Sequence, residues 1–396
     1  MKDFFLLTTL ILFFSISQAQ DVSDKPFTDF SAEVKLDYRY FPEEGLYEGQ
    51  EQSYFSFAFQ PEYEVEWQDG KYALKFAGFG RIDQHDSRRT HFDVRELYWQ
   101  MVKGNWELSL GAKKVFWGKT ESVHLVDIIN QTDAVESFDG EQKLGQPMVH
   151  YSYLTNFGTL DLFYLPFFRT RQFPGRKGRL RFPVILDGRD IDYESDAEEF
   201  QPGFAARWSH YLGIFDFGIS HFYGTGREPI ITDFNTFTPI YGVINQTGID
   251  LQATTGPMLW KVEAINRFND FQDMFALAAG FEYSFYNLAN KGIDIGVLAE
   301  YLYDDRDDFA LNGLQSDIFT GSRIAFNDVQ DTEILMGAIF DLERSTKIYS
   351  IEANRRVGDS WSIDLEARVF RDVDPTEALF FLRDDSFLQF SITKYL

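Results

Sequence analysis

The sequence predicts an all-β chain, a transmembrane antiparallel β-barrel of about eighteen strands, on three observations. Apolar and polar residues alternate with period two from residue 28 to the last residue. Aromatics make up 17% of the chain, with 42 Phe and 20 Tyr, yet 25% is charged and the mean hydropathy is −0.28. Short turns alternate with longer polar connections. A wall with lipid on one face and water on the other holds that many rings and charges in the same segments. A soluble sandwich also alternates, but its inner face is rich in Leu and Val and its outer face meets water.

The N-terminus reads as an export signal. Lys2 precedes an apolar run from Phe4 to Phe14, and Ser17-Gln18-Ala19 supplies a small-x-small cleavage pattern, so residues 1–19 are expected to be removed. No stretch approaches the roughly 20 apolar residues of a spanning helix. Residues 20–27 form a short periplasmic lead into a barrel of residues 28–396, which leaves no room for an N-terminal plug. Cysteine is absent, which excludes a lipid-bearing Cys, thiolate metal sites and cysteine nucleophiles. Stability must then come from closure of the sheet.

The strands show themselves by their two faces. In SAEVKLDYRY, Ala32, Val34, Leu36, Tyr38 and Tyr40 alternate with Glu33, Lys35, Asp37 and Arg39. In YFSFAFQPEYEVEW, Phe55, Phe57, Phe59, Tyr63, Val65 and Trp67 stand opposite Glu62, Glu64 and Glu66. SWSIDLEARVF sets Trp361, Ile363, Leu365, Ala367 and Val369 against Asp364, Glu366 and Arg368. Period two marks a strand whose faces meet different media. The expected strands are 28–41, 52–67, 71–83, 93–103, 105–115, 146–154, 158–168, 200–210 and 213–224, followed by 241–254, 257–268, 273–287, 292–303, 314–327, 332–343, 346–356, 360–371 and 385–396.

From the first strand on, every second connection is a tight turn, as at Gln68-Asp69-Gly70, Lys103-Gly104-Asn105 and Val357-Gly358-Asp359. The intervening connections are mostly longer: 42–51, 84–92, 116–145, 169–199, 225–240, 304–313 and 372–384. Short periplasmic turns and long external loops are the barrel pattern. Two external connections, 269–272 and Glu343 to Ser345, are short, and there a count of sixteen strands stays open.

A barrel this wide leaves an aqueous channel unless loops fill it. The alternation points Lys35, Arg39, Arg81, Lys113, Arg207, Lys261, Arg267 and Arg368 into the lumen, with Asp37, Glu263, Glu282, Glu300 and Glu366 among the acids. Charges lining a pore tune which solutes pass, although any single one can simply solvate the wall. Loop 116–145 is the third external connection. Val123, Leu125, Val126, Ile128 and Ile129 predict a short helix against the inner wall, started at Thr120 or Ser122. Glu121, Asp127, Asp133, Glu136, Asp139 and Glu141 bring negative charge, with Lys119 and Lys143 as counter-charges. Loop 169–199 opens with Arg169, Arg171, Arg176, Lys177, Arg179 and Arg181 and ends in acids. It suits an anion-selective entrance, contacts to lipopolysaccharide phosphate, or a loop whose halves pair with each other.

In position and length, loop 116–145 resembles the third external loop of general porins. That resemblance implies a segment folded into the barrel that narrows it. GAKKVFWGKTESVHLVDIINQTD also resembles a strand-to-loop segment with a Trp-Gly-Glu motif in porin-like outer-membrane proteins. Gly111, Lys113, Val115, Trp117, Gly118, Asp127, Asn130 and Asp133 fit it, while Lys119 replaces the acid and Gln131 a proline.

The expected function is passive or weakly selective diffusion of small hydrophilic solutes across the outer membrane of a Gram-negative bacterium, with loop 116–145 as constriction. The alternative is a non-conducting barrel for adhesion or surface recognition. Expected partners are outer-membrane lipid, lipopolysaccharide and the solutes; a homo-oligomer stays open. A net charge of −25 argues against nucleic acid. No cofactor, metal or enzymatic activity is expected. The six histidines show no HExxH motif, and His150 beside Ser152 reads as an accident of alternation.

Overall fold

The computed structural model describes residues 26–185, 191–231, 239–306 and 314–396. Residues 1–19 and 20–25, with the expected signal and most of the lead segment, lie outside the described residues. Eighteen antiparallel strands form the barrel. They are β1 (Phe27–Tyr40), β2 (Ser53–Trp67), β3 (Tyr72–Asp83), β4 (His91–Lys103), β5 (Trp106–Lys113) and β6 (Gln146–Thr155). Then come β7 (Gly158–Leu165), β8 (Gly203–Leu212), β9 (Phe215–Thr225), β10 (Val243–Thr255), β11 (Met258–Phe268) and β12 (Met274–Leu288). The last six are β13 (Ile293–Asp304), β14 (Ser316–Ala325), β15 (Glu333–Asp341), β16 (Lys347–Val357), β17 (Trp361–Arg371) and β18 (Phe387–Tyr395). Both short external connections are real, so the count is eighteen, not sixteen.

Each strand pairs with its sequence neighbour, and β18 returns to β1 with Tyr40 opposite Leu388 and Glu33 opposite Tyr395. Closure leaves no unpaired strand edge in lipid, where an unmet backbone group is costly. Phe30, Leu36, Phe55, Ile82, Phe92 and Trp361 lie exposed on the outer face. Asp37, Arg81, Arg207, Asp250 and Glu263 are buried on the inner one. The turns at Gly70, Gly104, Gly213, Gly256, Gly292 and Gly358 use positive φ, which glycine adopts without a Cβ clash.

Strands β5 and β7 stop short of the expected 115 and 168. The amides of Lys114 and Val115 donate to the side chains of Glu96 and Asn130, and Phe168 N–H to Glu199 O, so this backbone has left the wall. In β4 an extra residue, Arg95, stands where the pairing with β3 shifts beside Gly78. The bulge turns Arg95 into the lumen, where it meets Asp133.

The external loops are tied to one another. Glu377, before the 3₁₀ turn Ala378–Leu382, is pushed up to about 7 by burial, with Asp341 adding to the effect. From its ordinary 4.5 up to about 7, the folded protein holds a proton that the unfolded one has lost, so stability falls as pH rises through that window. Amide exchange at residues 378–382, corrected for intrinsic rates, should therefore be faster at pH 8 than at pH 5. In Glu377→Gln the difference should vanish; an equal difference in that variant would assign it elsewhere.

Candidate functional site: the lumen and the loop inside it

Loop 116–145 leaves the wall between β5 and β6 and lies in the lumen, held by side chains from strands across the barrel. Glu263 of β11, fully buried, is its main anchor. One of its oxygens accepts the amides of Lys119 (2.5 Å) and Thr120 (2.9 Å) and the Thr120 hydroxyl (2.8 Å). The other accepts the amide of Val126 at 3.2 Å. Glu300 of β13 accepts the amides of Glu121 (2.8 Å) and Ser122 (2.9 Å) and the Ser122 hydroxyl (2.5 Å). These bonds correct the helix expectation. Residues 119–129 are bends, a turn and irregular chain, because wall carboxylates take the amides that a helix would start from.

The apolar residues do what the pattern predicts without the helix. Trp117, Val126, Ile128 and Ile129 are buried in one cluster with inward-facing Met148, Phe163, Leu165, Phe222, Ile244 and Ile265. Val123 and Leu125 pack on a second cluster around Leu298, Leu302 and Phe319. At Gly248 a Cβ would sit 3.0 Å from the Val126 side chain, so this glycine lets the loop lie close to β10.

Five of the six loop acids end in ion pairs. Glu121 meets Arg323 (2.7 Å) and Lys261 (3.4 Å). Asp127 meets Lys143 at 3.1 Å, and Asp133 meets Arg95 at 2.5 Å. Glu136 accepts from Arg81, which also holds Asp37 and Ser56, and Asp139 accepts from Arg368 at 2.6 Å. Glu141 lies 3.1 Å from His124, a pair that is ionic only with the imidazole protonated. Glu121, Asp133, Glu136 and Asp139 thus brace the loop against the wall, while Asp127 with Lys143 ties the loop to itself.

The predicted wall residues all turn inward. Lys35 lies 3.8 Å from Asp37, Arg39 donates to Gln389 at 2.7 Å, and Lys113 donates to Glu107 at 3.3 Å. Arg207 and Asp250 form a two-bond pair at 2.6 and 2.8 Å, over Gly218, where any Cβ would strike the guanidinium. Arg267 donates to Gln246 at 2.8 Å and lies 3.6 Å from Glu228 of the external loop after β9. Burial pushes Glu228 up, but Arg306, Arg267 and Arg171 outweigh it and hold its carboxyl down at about 2. Between the inserted loop and the wall a cavity of about 450 Å³ remains. Lys35, Arg39, Arg323, Glu352 and Glu366 line its wall side; Glu136, Asp139 and Glu141 line its loop side.

In loop 169–199 four of the six basic residues that open the loop are held by other groups. Its halves do not pair with each other among the described residues; Arg189 lies outside them. Arg169 pairs with Asp93 at 2.7 Å and Arg171 reaches Gln131 and Arg227 O. Arg181 stacks on Tyr47 at 3.9 Å. Arg179 is buried against Asp385 (2.5 Å) and donates to the carbonyls of Glu43, Glu51 and Asp384. Only Arg176 and Lys177 of the six are exposed. Arg179→Ala would leave Asp385 buried and unpaired, at a cost of about 3–5 kcal/mol. The outer loops should then open to protease while the barrel stays intact; wild-type resistance would remove Arg179 as the clasp. Arg176→Glu with Lys177→Glu should instead leave stability unchanged and shift permeability toward cations.

The sequence matches no protein family and no curated protein. Solved structures do match. OccK5 (OpdH) of Pseudomonas aeruginosa is 11% identical, with a TM-score of 0.56 over 93% of this chain and 98% of that one. OccK8 (OprE) of the same organism is 12% identical, with a TM-score of 0.55 over 93% and 98%. Wzi of Escherichia coli is described as an outer membrane protein involved in group 1 capsule assembly and a carbohydrate-binding β-barrel. It is 10% identical, with a TM-score of 0.54 over 93% and 84%. The chain has the fold of a porin-like outer-membrane β-barrel.

Several residues of this porin-like barrel escape sequence reasoning. Arg95 needs the bulge. Arg227, in the loop after β9, donates to the carbonyls of Ile128 and Ile129 and packs between Phe168 and Phe222. Nothing in its neighbourhood of sequence marks it. One signal was readable: near their external ends β6, β7, β8 and β12 carry apolar residues on both faces, as in the FYL run of β7, and an inward apolar face needs something to cover it. His150 pairs with Asp161 at 2.9 Å rather than with Ser152.

Proposed function

We propose that this protein is an outer-membrane channel for passive, weakly selective diffusion of small hydrophilic solutes, and that loop 116–145 sets its narrowest passage. The cavity of about 450 Å³ between the loop and the wall carries this reading, because its lining is charged on both sides. Apolar solutes would have to strip water from those charges to pass, whereas hydrated solutes exchange one polar shell for another. Paired charges present a balanced field, which supports weak rather than strong selectivity. Purified protein in planar bilayers should give stepwise ion currents. A folded sample without current would leave the other reading, a barrel closed by its loops and used for surface recognition.

A further inference from the structure

The outer wall breaks its apolar pattern near the external rim of β9 to β11. In register there, Tyr223 stands beside Asn245 and Asn245 beside Phe268. One row toward the membrane centre, His221, Thr247 and Asn266 stand side by side and exposed, with His221 Nδ1 2.9 Å from Thr247 Oγ1. The next row is Ile219, Ile249 and Ala264. Acyl chains offer an imidazole and a carboxamide no hydrogen bonds, so polar groups at this depth need another partner.

Directly above, an outward-opening groove of about 470 Å³ lies between this rim and the external loops. Tyr223 and Phe268 give it two exposed rings; Glu194, Asp270, Gln201 and Asn245 give it carboxylates and amides. Val243 N–H occupies one oxygen of Glu194, and the Ser195 hydroxyl meets the Gln201 carbonyl, while Asn245 and Asp270 are exposed to solvent. Among the described residues no Lys or Arg lines the groove, which disfavours phosphate there. Rings beside carboxylates and amides suit a sugar. Its C–H face lies on an aromatic plane, and its vicinal hydroxyls donate to carboxylate and bridge a carboxamide.

We propose that the groove and the polar row below it bind the saccharide head of a membrane glycolipid. The sugar occupies the groove, and the amide and hydroxyl groups that join it to the acyl chains meet His221, Thr247 and Asn266. The inference rests on the barrel lying in a membrane and not on its conducting.

The chain lacks cysteine, so Ala264→Cys can carry a single environment-sensitive fluorophore beneath the polar row. Full-length labelled protein in detergent is titrated with rough lipopolysaccharide, with phosphatidylglycerol and with free core oligosaccharide. A saturable shift with lipopolysaccharide, at concentrations about tenfold below phosphatidylglycerol, is expected, with the free sugar weaker. Tyr223→Leu with Asn245→Leu, and separately Asp270→Asn, should weaken lipopolysaccharide binding about tenfold. Equal responses to both lipids would overturn the proposal, as would unchanged affinity in the variants. So would an Asn266→Cys protein that forms disulfide-linked dimers faster than Ile363→Cys on the far wall, since a second copy would then be the occupant. Conductance is read in parallel: these side chains face outward, so a lost current would concern the channel and not this site.

Discussion

Replacing Glu263 with alanine is expected to widen the channel at least about twofold in conductance and to make the current flicker, with the barrel still folded. Glu263 is buried and satisfies three backbone amides and one hydroxyl of the inserted loop. Hydrogen bonds to a charged acceptor contribute about 1.5–3 kcal/mol each, and an amide left buried without a partner costs about 1–3 kcal/mol. The loss is therefore on the order of 5 kcal/mol, concentrated on residues 119–126. The barrel itself rests on strand pairing that the substitution does not touch. The loop keeps its packing through Ile128 and Ile129, so it should unseat intermittently, which is the origin of the flicker. Adding Glu300→Ala removes the anchor of Glu121 and Ser122 and should make the wide state continuous. Glu263→Gln keeps an acceptor toward Lys119 and Thr120 and should fall between. A double variant with wild-type conductance and noise would show that the loop does not set the aperture.

That experiment turns on residues of unequal legibility. The wall was readable because period two survives any detail of the loops: one face of each strand must meet lipid, and the sequence marks which. Glu263 and Glu300 are among the inward acids on that ground alone. Their role was not readable. A carboxylate that lines water and one that collects amides look the same in the pattern, and only the path of residues 119–126 distinguishes them. The helix expectation fails for the same reason. Its apolar spacing is real and its residues are buried or partly buried, but the amides had a better acceptor than their own chain. In loop 169–199 a run of basic residues suggested a charged mouth, yet Arg179 serves Asp385, about two hundred positions away, a pairing that no local pattern can reveal.

The strongest effect on selectivity is expected at Arg368. Its guanidinium donates to Asp139 of the loop at 2.6 Å and to Glu352 of β16 at 2.7 Å, and lies 3.6 Å from Glu366. It thus neutralises acids on both sides of the cavity. In Arg368→Glu four carboxylates face one another, with Asp364 and Glu333 also on the lining. A unit charge acts on an ion about 7 Å away with about 0.6 kcal/mol in water, a factor of about three. Reversal changes the charge by two units, so a cation is favoured about sevenfold and an anion disfavoured by as much, and the cation-to-anion permeability ratio should rise about fiftyfold. Screening sets where to look, since the Debye length is about 30 Å at 0.01 M and about 3 Å at 1 M. The shift in reversal potential should therefore be large in dilute salt and nearly vanish at 1 M. Arg355→Glu, at an exposed pair with Asp328 near a periplasmic turn, should leave the ratio unchanged. If Arg368→Glu behaves like Arg355→Glu at low salt, the ions pass somewhere other than the cavity between Asp139 and the wall.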